Sequence, residues 1–75
     1  MEYVIVRYPI LRDVIIDGRR AGRTNAPLRT PTGRHTFDLG HPVDYRPAQH
    51  TVDVTGTAAE DPMVITFTPA ELGTG

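Results

Sequence analysis

The sequence contains no cysteine, no serine and no lysine. Without cysteine there is no disulfide, no thiolate nucleophile and no cysteine-bound zinc. Without serine or cysteine, the usual nucleophiles of hydrolase triads are missing too. The ten threonines are scattered over segments where β-propensity accounts for them. Long apolar runs are also lacking. The stretch Tyr3-Val4-Ile5-Val6 is too short for a signal-peptide core and far too short to cross a bilayer as a helix. No transmembrane segment is therefore expected, and the compartment is left open.

What remains fits one small domain. The chain has 75 residues, 39% of them hydrophobic and 23% charged, the balance of a folded domain rather than a disordered one. The net charge of −1 hides an asymmetry. Residues 1–46 carry all eight arginines against five acids, a net +3, whereas residues 47–75 carry four acids and no base. The whole chain is not a polybasic nucleic-acid binder, but a local basic stretch is present.

Apolar side chains recur with period two, as half-buried strands require. Val4, Val6 and Tyr8 share one face of the first segment, and Tyr3, Ile5 and Arg7 the other. Val14-Ile15-Ile16 runs into Asp17-Gly18, a strong hairpin signal, with Arg19 to Arg23 as the return strand. Residues 24–32 read as a loop anchored by Leu28. Gly33 opens a strand in which His35, Phe37 and Leu39 alternate with Arg34, Thr36 and Asp38. After a proline-bounded loop around Tyr45, His50, Val52 and Val54 alternate with Thr51 and Asp53. Met63, Ile65 and Phe67 then share a face of the last strand. No helix of useful length fits. The pattern predicts an all-β fold, a small β-sandwich of about six to seven short, mostly antiparallel strands. The expected core is Val4, Val6, Val14, Ile16, Leu28, Phe37, Leu39, Val52, Val54, Ile65 and Phe67. Residues 1–68 form the expected domain and residues 69–75 a flexible tail. Tyr45, flanked by prolines, is expected to cap the open end of the sandwich with its ring buried and its hydroxyl bonded.

The order of turn motifs resembles the PEGA domain, a small bacterial β-sandwich module. Val14-Ile15-Ile16-Asp17-Gly18 matches that family's Asp-Gly hairpin, and Gly22-Arg23-Thr24 its next step. Pro31-Thr32-Gly33-Arg34-His35 matches its Pro-Gly-x-His strand, and Asp44-Tyr45-Arg46-Pro47 its tyrosine loop. The resemblance covers residues 3–68. The chain departs from the pattern at Leu11-Arg12, where the family has a small Gly-Ala pair, at Thr24-Asn25 in place of Thr-Pro, at Thr32, which splits the Pro-Gly pair, and at Asp44 in place of glycine. The resemblance implies a non-catalytic accessory module of larger bacterial envelope or signalling proteins. It implies no particular ligand.

The residues themselves offer few chemical sites. His35, His41 and His50 show no metal-binding spacing, and no glycine pattern cradles a phosphate. Glu60-Asp61, Asp38 and Asp53 read as solvated carboxylates rather than an acid/base pair. No catalytic residue, metal ligand or cofactor is expected, and the chain is not expected to be an enzyme. Two surfaces are candidates for binding. Arg19, Arg20, Arg23, Arg29 and Arg34 lie in an interval without an acid, suited to the anionic backbone of a glycan, lipid or nucleic acid, unless they simply solvate the hairpin. Tyr3, Ile5 and Arg7 on the first strand form a candidate interface edge at which another chain could add a strand. The preferred expectation is a protein–protein interaction or spacer module, with anion binding as the alternative.

Overall fold

The computed structural model describes residues 1–70, which form nine strands and no helix. These are β1 (Glu2–Arg7), β2 (Asp13–Ile16), β3 (Arg19–Arg23), β4 (Pro27–Thr30), β5 (Gly33–Asp38), β6 (Tyr45–Arg46), β7 (His50–Val54), β8 (Met63–Thr66) and β9 (Thr68–Pro69). One sheet has the order β4-β1-β8, a second β3-β2-β5-β7, and β6-β9 is a two-stranded ribbon. All pairs are antiparallel except β1 with β8. The fold is thus a small all-β sandwich. It has more strands than the pattern showed, because β4, β6 and β9 are too short for their alternation to stand out.

The period-two faces meet between the sheets. Val4, Val6, Leu28 and Ile65 come from one sheet and Val14, Ile16, Phe37 and Val54 from the other, all buried. Phe37 and Phe67 are the largest enclosed side chains, and each apolar ring of that kind contributes about 1.5–3 kcal/mol through burial. Tyr8 and Tyr45 complete the core. Val52, expected within it, is only half-buried and packs against the core's margin.

The first hairpin turns on Asp17 (φ 52°) and Gly18 (φ 83°), the pair of positive angles that a two-residue turn between right-twisted strands requires. The chain crosses between the sheets four times, and two of these crossovers, β1 to β2 and β3 to β4, are bonded to one another. The Thr24 amide donates to the Arg12 carbonyl at 2.9 Å, and the Asn25 amide to that of Val6 at 2.7 Å. Thr24 Oγ1, fully buried, donates to the Ile10 carbonyl and accepts from the Arg12 amide, both at 3.0 Å. The Asn25 side-chain amide pairs with both backbone groups of Tyr8, at 3.2 and 2.7 Å. Asn25 sits at φ 63°, a conformation that asparagine tolerates better than most residues.

Two expectations are corrected here. β1 is the central strand of its sheet, with both edges occupied by β4 and β8, so it offers no edge for strand addition. Tyr3, Ile5 and Arg7 lie instead on that sheet's outer face. The segment expected as a tail starts as structure: Pro69 opposes Tyr45, and the Ala70 amide donates to the Asp44 carbonyl at 2.9 Å. Residues 71–75 of that segment lie outside the described residues.

Candidate functional site

At one end of the sandwich, the loop entering β2 meets the loop between β5 and β6. The link is Arg12, whose side chain is only 12% exposed. Its Nη1 donates to Asp44 Oδ1 at 2.7 Å, and its Nη2 reaches the carbonyls of Pro42 at 2.8 Å and Leu39 at 3.3 Å. The guanidinium also lies over the Tyr8 and Tyr45 rings, 5.9 and 5.4 Å from their centroids. A planar fork with five donors suits such a cluster of acceptors, and a flat cation suits two aromatic faces. The hydrogen bond from Arg12 holds the Asp44 carboxyl below its ordinary range. Tyr45 plays the capping part expected of it. Its ring packs edge-on against Tyr8 and Phe67, and its hydroxyl donates to the Gly40 carbonyl at 2.9 Å and accepts from the Leu39 amide at 3.2 Å.

These tied loops carry most of the exposed apolar side chains. Ile10 (59% exposed) and Leu11 (63%) stand on the first loop, and Val43 (54%) on the second, between the two residues that Arg12 grips. A hollow of about 340 Å³ flanks the first loop, lined by Arg7, Tyr8, Pro9, Phe67 and Pro69. Arg7, placed by sequence among the interface residues, is thus at the rim of this hollow. Tyr3 and Ile5 are half-buried on the outer face of β1, where Tyr3 opposes Arg29 of β4 and Ile5 lies between Pro27 and the exposed Val64.

The five candidate arginines divide. Arg19 and Arg20 of β3 and Arg29 of β4 line one hollow of about 380 Å³, together with Ile16, Asp17 and His35. Arg23 and Arg34 lie outside it. Arg23 pairs with Asp13 at 3.4 Å on the outer face, where Arg20 also reaches Asp13 at 3.3 Å. Arg34 pairs across β5 and β7 with Asp53 at 3.3 Å.

Both ring nitrogens of His35 are engaged in hydrogen bonds. Nδ1 faces Asp17 Oδ2 at 2.5 Å and Nε2 faces the Pro31 carbonyl at 2.7 Å. Both partners only accept, so the two contacts are satisfied together when both nitrogens carry a proton, an arrangement that favours the imidazolium. The Asp17 hydrogen bond and then that of Pro31 raise the His35 pKa, while His35 and then the Thr36 amide lower that of Asp17. Nearby, Glu2 accepts from the Thr32 hydroxyl at 2.5 Å and from the Thr57 hydroxyl and amide at 2.6 and 2.9 Å, which lowers its pKa to about 2. His50 gives one nitrogen to the Thr66 carbonyl at 2.9 Å. Among the described residues, no group of three histidines or carboxylates is placed to hold a metal ion.

Arg12 was missed by sequence reading. Its importance depends on a loop about thirty residues away, and the only local signal was an arginine where the PEGA pattern has a small residue. No family model matches the chain, and no curated protein or solved structure matches it either.

Proposed function

We propose that this chain is a non-catalytic interaction module that docks a protein partner through its Arg12-tied end. The observation that carries the reading is the grouping of Ile10, Leu11 and Val43, all more than half exposed, on two loops joined by one mostly buried guanidinium. Single exposed apolar residues are ordinary, but several on adjoining loops make a patch that protein partners use. Hydrogen bonds already fix the loops, so little ordering entropy is lost on docking. The flanking hollow beside Pro9 offers a place for a partner's side chain. An accessory module of a bacterial envelope or signalling protein, as the PEGA resemblance implies, fits this reading.

Affinity capture with immobilised domains tests it. The wild type is compared with Ile10→Ser/Leu11→Ser/Val43→Ser and with Val64→Ser, an exposed apolar side chain elsewhere. A polypeptide held by the wild type and by Val64→Ser but released by the triple variant is the expected result. Equal retention by all three contradicts the proposal.

A further inference from the structure

We propose that the hollow between the β3 and β4 edges is a binding site for a tetrahedral oxyanion, a phosphate monoester or a sulfate group. It lies at the Asp17 end of β2, whereas the apolar loops lie at the Arg12 end, so the two sites stand or fall separately.

The first argument is uncompensated charge. Arg12, Arg20, Arg23 and Arg34 each have a carboxylate within ion-pair distance. Among the described residues Arg19 and Arg29 have none. Arg7 and Arg46 also have none, but only Arg19 and Arg29 share a hollow, approaching it from edge strands of different sheets. Arg20 joins them, held only by an exposed contact to Asp13 that an incoming anion can outcompete.

The second argument is the state of the acid in the hollow. The carboxylate of Asp17 is committed on both oxygens, to the Thr36 amide at 2.9 Å and to the His35 ring at 2.5 Å. It therefore balances the imidazolium and leaves the guanidinium groups free. With the His35–Asp17 and Arg20–Asp13 pairs each neutral, Arg19 and Arg29 leave the hollow a net charge of about +2 while His35 is protonated. Guanidinium forks from several directions match the several oxygens of a tetrahedral dianion better than the two of a carboxylate.

The site is also pH-dependent. His35 faces Asp17 in the hairpin turn, the Pro31 carbonyl after β4, Arg19 and Arg20 on β3, and Arg29 on β4. Loss of its proton removes one positive charge and leaves the Asp17 carboxylate to offset the neighbouring arginines. Anion binding then weakens as pH rises through the His35 transition.

Amide NMR titration with sodium sulfate tests the proposal, with ionic strength held constant by sodium chloride. Sulfate keeps its charge between pH 5 and 8, so any pH dependence belongs to the protein. Inorganic phosphate and sodium acetate are run in parallel. The expected result is saturable shifts at residues 17–21, 29 and 30 with sulfate and phosphate, and little response to acetate. Affinity should fall at least tenfold in Arg19→Gln/Arg29→Gln and stay within twofold in Arg23→Gln/Arg34→Gln. In the wild type, sulfate affinity should fall several-fold from pH 5.5 to pH 8. All four substituted arginines are exposed, so the variants should keep wild-type amide dispersion. No shifts, equal shifts with acetate, or equal losses in the two double variants would each overturn the site. Sulfate affinity unchanged between the two pH values would overturn the role of His35.

Discussion

Replacing Arg12 by alanine is expected to cost more than any other substitution of a charged residue in this chain. The guanidinium has one strong hydrogen bond to a carbonyl, at 2.8 Å to Pro42, and a longer one, at 3.3 Å to Leu39. A hydrogen bond from a charged donor is worth roughly 1.5–3 kcal/mol when well formed, and the longer contact contributes less. Cation–π contact with the Tyr8 and Tyr45 rings adds about 0.5–1 kcal/mol each. The side chain is mostly buried, so water replaces these contacts poorly, and the expected loss is about 3 kcal/mol. A chain of 75 residues has a total stability of roughly 4–11 kcal/mol, so the variant would retain little margin. At about 4–8 °C per kcal/mol for a domain of this size, Tm should fall by about 12–24 °C. Thermal and urea unfolding followed by circular dichroism measure it. Arg12→Lys should recover only part of the loss, because a point charge cannot serve Asp44, the carbonyls of Leu39, Gly40 and Pro42 and two rings together. Asp44→Asn should lower Tm less than Arg12→Ala, since the carbonyls and rings remain. A Tm for Arg12→Ala within about 3 °C of the wild type, less than one kcal/mol on that scale, would refute this reasoning. An Asp44→Asn effect as large as that of Arg12→Ala would shift the weight to the ion pair.

Other expectations follow from particular contacts. Thr24→Val keeps the shape but leaves the Arg12 amide and Ile10 carbonyl without their partner at the crossover, which should cost about 1–3 kcal/mol in urea unfolding; a neutral result would mean water serves them equally well. Gly18→Ala places a Cβ at φ 83° and should cost about 1–2 kcal/mol through backbone strain alone, since nothing else lies near that position; unchanged stability would contradict the turn geometry. The Asp17–His35 pair gives stability a pH window. Asp17 is shifted below 3.8, so its contribution is present above that value and lost as pH falls through the lowered one. His35 is shifted above 6.5, so its contribution is complete below that value and lost as pH rises through the raised one. Urea midpoints measured against pH should therefore fall on the alkaline side. His35→Gln should flatten that limb, and an unaltered limb would remove His35 as its source.

Most of the core was legible because period two is set by strand geometry. Val4 and Val6, Val14 and Ile16, and Phe37 and Leu39 had only one face to bury. The Asp17-Gly18 turn was legible because few residue pairs adopt its angles. β4 carries the same alternation, with Leu28 and Thr30 inward and Pro27 and Arg29 outward, but in four residues that begin with proline it was read as a loop. Proline is acceptable there because β4 is an edge strand. The placement of β1 was not legible, since alternation shows faces but not neighbours. Its parallel pairing with β8 joins residues almost sixty positions apart. For the same reason the arginine stretch could be noticed but not divided. Whether a guanidinium is free or paired depends on Asp13 and Asp53, which strand register alone brings close to Arg23 and Arg34. The apolar loops were hidden likewise, because the loops that carry Ile10 and Val43 are joined by Arg12 and the Tyr8 hydroxyl across thirty or more positions.

The most direct test of the interaction reading is site-specific photo-crosslinking in the cells the protein comes from. A photoreactive residue is placed at position 10 or 43 on the tied loops, and at position 34 or 53 on the outer face of the second sheet. The account predicts one discrete adduct of the same size from positions 10 and 43, absent from 34 and 53, and lost from position 43 when Leu11→Asp is added. Adducts of equal yield from all four positions, or from 34 and 53 alone, would contradict it.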